Sequence, residues 1–244
     1  MRILVVNPNT SSAMTGKIGR VARAAAAAGT EIIAVNPPDG PASIEGYYDE
    51  AFSVPGLLAE IAKGEALGVS AHIIACFDDT GLEAARSLAS MPVIGIGEAA
   101  FHLASMLGHR FSVVTTLSRS IAAIETNLLK YGLASRCAKV RACEVPVLAL
   151  DDPASNASAQ ISAEIERCKR EDNAEVIVLG CAGMAELAAH LSEQHGLPVL
   201  DGVVGAVKLA EAFGALDLKT SKIMTYAAPR PKTYLGCFAP FGPR

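Results

Sequence analysis

Four pairs of short apolar runs recur along the chain at a nearly constant offset, and this repetition limits the fold more than any single motif. Runs over Arg2–Val6, Glu31–Val35, Ala71–Ala75 and Pro92–Gly95 are answered by Arg110–Val114, Lys139–Cys143, Glu175–Leu179 and Pro198–Leu200. Their starts lie 108, 108, 104 and 106 residues apart, a regularity that implies a duplicated lobe. Helix patterns fill the gaps: Ser12–Ala28, Val54–Gly64, Leu82–Ser90 and Glu98–Leu107 in the first half, then Arg119–Tyr131, Ala154–Arg170, Met184–His195 and Val203–Phe213. Strands alternating with helices predict parallel βα units. The punctuation repeats too, since "MPVIGIGEAA" and "LPVLDGVVGAV" are each a Pro-led strand followed by a Gly-rich helix start.

The expected fold class is α/β, with two pseudosymmetric lobes. Each lobe is a four-stranded parallel sheet flanked by helices, and the active site is expected in the cleft between them. The first lobe takes residues 1–98 plus about 205–244, the C-terminal helix returning to it, and the second takes 99–204. The last twenty residues, rich in Pro and Gly, read as an extended tail on the surface.

Composition removes several classes of function. Hydrophobic residues make up 51% and charged residues 19% of the 244, which suits a packed α/β domain. The net charge is −4 without a basic cluster, so neither nucleic acid nor an anionic membrane is expected as a partner. No run approaches the ~18 apolar residues of a membrane span, and "ILVV" after Arg2 is too brief for a signal-peptide core. A cytoplasmic protein is the expectation. The six cysteines include no C-x-x-C, so a zinc site or thioredoxin pair has no support, and reduced thiols are expected.

In open parallel sheets ligands bind outside the carboxyl ends of the strands. There the chain places "NPNTS" (7–11), "NPPDGPASIEGYYDE" (36–50), "CFDDTG" (76–81), "TTLS" (115–118) and "GCAG" (180–183). Cys76 and Cys181 are equivalent in the repeat, so a pseudo-two-fold axis sets them on opposite walls. A thiol at a helix start has its pKa lowered by oriented N–H groups. One such thiol on each face of a planar carbanion inverts a stereocentre, provided neighbouring amides and hydroxyls hold the enolate. A lone cysteine at a strand end is more often a small packing residue. Two at equivalent positions, each in a polar setting, favour the paired reading. Cys137, Cys143, Cys168 and Cys237 lack that setting and read as structural or surface thiols.

Together, "NPNTS", "SIEGYYDEA", "ACFDDTGL" and "LGCAGMA" resemble the hydantoin racemases of the aspartate/glutamate racemase superfamily, over about Ile3 to Phe213. The resemblance implies a two-lobed fold, a mechanism without cofactor, and Cys76 and Cys181 as the acid/base pair. It implies interconversion of D- and L-5-monosubstituted hydantoins, and a homo-oligomer. Allantoin racemases share nearly the same motifs and are the nearest alternative. A non-catalytic small-ligand binder is the alternative from another class.

Other residues carry weaker readings. Asn9 can bond the ring or simply follow Pro8 in a turn. Thr115 and Thr116 offer hydroxyls to a carbonyl, against plain β-propensity. Ser43 and Ile44 lie in the long loop and face either the 5-substituent or a subunit contact. Phe77 reads as a pocket wall, and Gly180, Ala182 and Gly183 surround the second thiol. Asp78 and Asp79 are expected to cap a helix or bond backbone amides, because a carboxylate aimed at the thiol raises its pKa. Thr80 belongs with them. Gly183 stands where the first half has Asp78, so the two walls differ, which allows the two directions of proton transfer to differ in rate. His72, His102, His109, His190 and His195 read as surface or capping residues.

Overall fold

The computed structural model describes residues 1–152 and 154–243. Arg244, the end of the expected tail, lies outside them. The first sheet contains β1 (Arg2–Val6), β2 (Glu31–Val35), β3 (Ala71–Ile74) and β4 (Val93–Gly95), all parallel, in the order β2-β1-β3-β4. The second contains β5 (Phe111–Thr115), β6 (Cys137–Ala142), β7 (Val176–Gly180) and β8 (Val199–Leu200), parallel again, in the order β6-β5-β7-β8. One topology is thus used twice. In each sheet the strand order turns back between the first and third strands, and the crevice beyond their carboxyl ends is the expected ligand position.

Alternation along the strands divides the apolar residues between two faces. Ile3, Val5, Ala71 and Ile73 join Phe111, Val113, Val176 and Val178 in one buried cluster shared by both sheets. Leu4, Val6 and Ile74 face an outer cluster on the first sheet, while Val114, Ile177 and Leu179 do so on the second. The lobes are therefore fused through a common core rather than merely opposed.

The helices that follow the fourth strand of each lobe cross over. α4 (Ile96–Leu107) packs against β7, and α8 (Gly202–Ala215) packs against β3 and β4. They also pack on each other, through small residues. A Cβ at Gly202 would lie 2.1 Å from the Ile96 carbonyl oxygen. The other α-helices among the described residues are α1 (Ser12–Ala25), α2 (Tyr47–Leu67), α3 (Leu82–Leu88), α5 (Ile121–Lys130), α6 (Ala157–Asp172) and α7 (Ala188–His195). Among the described residues, no helix is long and apolar enough to cross a membrane.

Several elements differ from expectation. α2 begins at Tyr47 rather than Val54 and carries Pro55 inside it, so the proline does not mark the helix start. β6 begins at Cys137, two residues early, and residues 182–187 form a 3₁₀ turn ahead of a short α7. The tail is largely exposed but not featureless. Its Tyr226 hydroxyl donates to Glu83, and just ahead of it Lys222 Nζ donates to the carbonyls of Arg86, Ser87 and Ala89 at the end of α3.

His72 and His195 are buried, which corrects their reading as surface or capping groups. His72 sits inside β3 with Nε2 2.7 Å from Glu65 Oε1, and burial holds its pKa below the ordinary value. His195 closes α7 with Nδ1 2.6 Å from Glu166 Oε1 and Nε2 2.9 Å from Ser162 Oγ. Both tie secondary elements together, and neither lines the cavity described next.

Candidate active site

The first wall is the turn that leaves β3. After Cys76 the chain reverses, with the Asp79 amide donating to the Cys76 carbonyl at 3.1 Å and Asp79 in the left-handed region at φ 51°. Cys76 Sγ receives the Thr80 hydroxyl at 3.4 Å. The turn is clamped by elements distant in sequence. Asn127 of α5 donates to the Asp78 carbonyl at 2.8 Å. The Asp79 carboxylate accepts from the amides of Gly97 (2.9 Å) and Glu98 (2.8 Å) at the start of α4, and from the Tyr131 hydroxyl (2.7 Å). Asp79 thus bonds backbone amides as expected, but those of α4 rather than of its own helix.

The second wall is the exit from β7. Cys181 caps the 3₁₀ turn over Ala182–Leu187. Gly180 lies flat on Thr115: a Cβ there would come within 2.9 Å of Thr115 Cβ, and the Thr115 hydroxyl donates to the Gly180 carbonyl at 3.1 Å.

Cys76 and Cys181 both line one cavity of about 40 Å³. Asn7 and Asn9, beyond β1, and Thr116 and Ser120, beyond β5, supply its polar rim. Asn7 Nδ2 donates to Asn9 Oδ1 at 2.8 Å, and Asn9 Oδ1 also accepts the Ser11 amide at 2.9 Å. Those bonds fix the Asn9 amide so that, among the described residues, its Nδ2 has only Met14 Sδ, at 3.4 Å, as a partner. That N–H group is available to a ligand oxygen. The roof is the loop before α2: Ile44 lines the cavity, and the neighbouring Glu45 carboxylate accepts the Val147 amide across the lobes at 3.0 Å.

The sequence-chosen residues Asn9, Ile44, Phe77, Thr116, Gly180 and Ala182 meet Cys76 and Cys181 at this cavity. Ser43, Thr80, Thr115 and Gly183 do not line it. Thr80 and Thr115 are spent on the two walls, as above. A Cβ at Gly183 would meet Leu150 at 2.8 Å, so that glycine makes room for a neighbouring side chain. Phe77 is wall and core together, its ring edge-on to Phe101 at 5.3 Å.

Asn7, Met14, Ala75, Asp78, Ser120 and Val147 also line the cavity without having been singled out as ligand contacts. The repeat held a signal for two of them. Asn7 follows β1 as Thr116 follows β5, and Val147 lies in the loop after β6 as Ile44 does after β2.

The electrostatics of the first wall overturn one expectation. Cys76 is not at a helix start, since α3 begins only at Leu82. Burial pushes its thiol well above the ordinary range and the Asp78 charge adds to this, against the pull of Thr80 and the Asp78 N–H. Burial and the nearby Glu50 push Asp78 itself up to about 7, and burial raises Glu50. No Lys, Arg or His is among the described residues lining the cavity. Nor, among the described residues, is any group of three or more His, Cys, Asp or Glu placed to hold a metal ion.

The chain is similar to known proteins in both sequence and fold. The sequence model of the Asp/Glu/Hydantoin racemase family matches residues 3–210. The chain is 51% identical to a hydantoin racemase of Rhizobium meliloti over 97% of its length and 98% of that relative. It is 48% identical to a hydantoin racemase of Pseudomonas sp. (strain NS671), covering 99% and 97%. The structure of an allantoin racemase from Klebsiella pneumoniae superposes with a TM-score of 0.97 at 49% identity, covering all of both chains.

Proposed function

The chain belongs to the Asp/Glu/hydantoin racemase family and is a racemase, and we propose that it interconverts the enantiomers of 5-monosubstituted hydantoins by proton transfer at C5 between Cys76 and Cys181. The observation that carries this reading is the meeting of two thiols, from equivalent strand ends of two sheets, at one small cavity. C5 of a hydantoin lies beside the C4 carbonyl, so its proton leaves to give an enolate with charge on oxygen. One thiolate takes the proton from one face of the ring while the opposite thiol protonates the other. Asn9 and Thr116 line this cavity, which supports a role for their N–H and O–H groups as donors to ring oxygens, where such bonds strengthen as charge develops. The reaction as written needs no cofactor.

Allantoin is itself a 5-substituted hydantoin, and the small cavity with polar Asp78 and Ser120 favours a compact, hydrogen-bonding substituent. The 51% identity to a hydantoin racemase and the 49% identity to an allantoin racemase support the two substrates equally. Polarimetry on enantiopure 5-benzylhydantoin and on allantoin decides between them. Cys76→Ser and Cys181→Ser should each lower racemisation by about 10²–10⁴-fold, the usual value of positioned acid/base groups. Wild-type rates in either variant would defeat the two-thiol reading. We further read the exposed Tyr48, Phe52, Leu235 and Phe238 as surface suited to a homo-oligomer, which sedimentation measures.

A further inference from the structure

On the β1 side, the polar rim of the cavity is a directional network in which each bond dictates the next. Asn7 leaves β1 almost wholly enclosed, at 1% exposure, with Asn9 and Thr15 of α1 buried beside it. Its Nδ2 lies 2.8 Å from Asn9 Oδ1, 3.1 Å from Thr15 Oγ1 and 3.3 Å from the Ser11 carbonyl. Its Oδ1 accepts the Asn9 backbone N–H at 3.4 Å. The Thr15 hydroxyl can give its one hydrogen to the Ser11 carbonyl at 2.9 Å or to Asn36 Oδ1 at 2.8 Å. Asn36, just beyond β2, turns its own Nδ2 to the Pro37 carbonyl at 3.0 Å, which leaves its oxygen for Thr15.

Whichever acceptor takes that hydrogen, Thr15 Oγ1 presents only lone pairs to Asn7. A hydroxyl lone pair and the Ser11 carbonyl therefore face the Asn7 amide, and its Nδ2 alone can meet them. A flipped Asn7 would set its oxygen against both in a buried site, where an unmade bond is costly. The orientation that results also aims Nδ2 at Asn9 Oδ1. Together with the Ser11 amide at 2.9 Å, Asn7 fills both lone pairs of that oxygen. The Nδ2 edge of Asn9 is left toward Met14 Sδ, a weak acceptor on a side chain that lines the cavity as Asn9 does.

We propose that Asn7, held by Thr15, is a positioning residue that locks Asn9 with its N–H edge toward the bound ring. This point of the rim then offers a donor and never an acceptor. The inference rests on the proposed reaction at C5 and deepens it. Proton removal leaves charge on the C4 oxygen, and a donor that is already oriented meets it without reorganising. An unlocked amide would serve a ring N–H as readily as a ring oxygen. The locked one selects substrates whose stereocentre adjoins a carbonyl. Thr15 does not line the cavity, so it acts on catalysis through Asn7.

A cycle of single and double substitutions tests the assignment. Asn9→Ala removes the donor and should lower kcat on an enantiopure 5-substituted hydantoin about 10²-fold. Asn7→Asp sets an acceptor where Asn9 needs a donor and should lower kcat about tenfold, with KM within about twofold. Thr15→Val should act in the same way, by about threefold. In an Asn9→Ala background either substitution should change kcat by less than about twofold, because the group it works through is gone. A readout independent of turnover is the nuclear Overhauser contact between the Asn9 side-chain amide protons and the Met14 methyl group. Wild type should show it, and Asn7→Asp should lose it as the amide turns over. Effects on kcat that multiply in the double variants, or an Asn9–Met14 contact retained in Asn7→Asp, would overturn the assignment. If Asn7→Asp fails to fold, multiplication of the Thr15→Val and Asn9→Ala effects overturns it alone. A wild type inactive on hydantoins and allantoin alike defeats the proposed reaction instead, and the Met14 contact still judges Asn7.

Discussion

Asp78 and Asp79 are adjacent, identical in type and opposite in fate. The left-handed backbone at Asp79 turns its carboxylate out of the cavity toward Gly97, Glu98 and Tyr131, and leaves Asp78 lining it. The motif "CFDDTG" shows that a polar turn follows the thiol, but not which aspartate faces inward. That choice depends on donors more than fifteen residues away. Burial pushes the pKa of Asp79 up to about 7, with the three donors pulling against it. Removing one of them is therefore costly: Tyr131→Phe should destabilise the fold by about 1–3 kcal/mol, the cost of an unmade bond to a buried acceptor. Urea unfolding monitored by circular dichroism checks this. The same separation of near from far explains Cys76, whose raised pKa comes from burial that local spacing does not reveal.

Among the elements, strands were the most legible, because parallel strands covered on both faces read as continuous apolar runs. β1 and β2 match their expected ends, and the others fall within one or two residues. Helix starts were less legible. Pro55 suits a first turn, yet α2 extends eight residues ahead of it, since tertiary packing outweighs the single backbone bond that proline forfeits. The start of α4 shows why "GIGEAA" is glycine-rich without being a phosphate cradle. A Cβ at Gly97 would lie 2.4 Å from the Phe77 carbonyl oxygen and 2.8 Å from Asp79 Oδ2, so this helix end is pressed against the Cys76 turn. Gly97→Ala should cost about 1–3 kcal/mol through overpacking. It should also slow racemisation, because relief of the clash displaces the turn that carries the thiol. Thermal unfolding and polarimetry on the one variant measure both.

At the scale of the whole molecule, the duplication was legible from offsets alone, whereas the fusion of the lobes was not. Spacing shows that a unit recurs, and contacts alone show that Phe101 and Phe111 lie in a core common to both sheets. That shared core fixes the two walls relative to each other, and the loop before α2 covers the cavity with Ile44. Glu45 latches this loop to Val147. Glu45→Ala should raise KM about fivefold, the value of roughly 1 kcal/mol for one such bond, with little change in stability. Initial-rate measurements over a range of substrate concentration test it. The central claim is that each sulfur serves one face of the ring, and its most direct test is C5 hydrogen exchange in heavy water, read by proton NMR on each pure enantiomer. Cys76→Ser and Cys181→Ser should each exchange one enantiomer without inverting it, and the enantiomer should differ between them. Exchange of both enantiomers by one variant, or of the same enantiomer by both, would contradict the account.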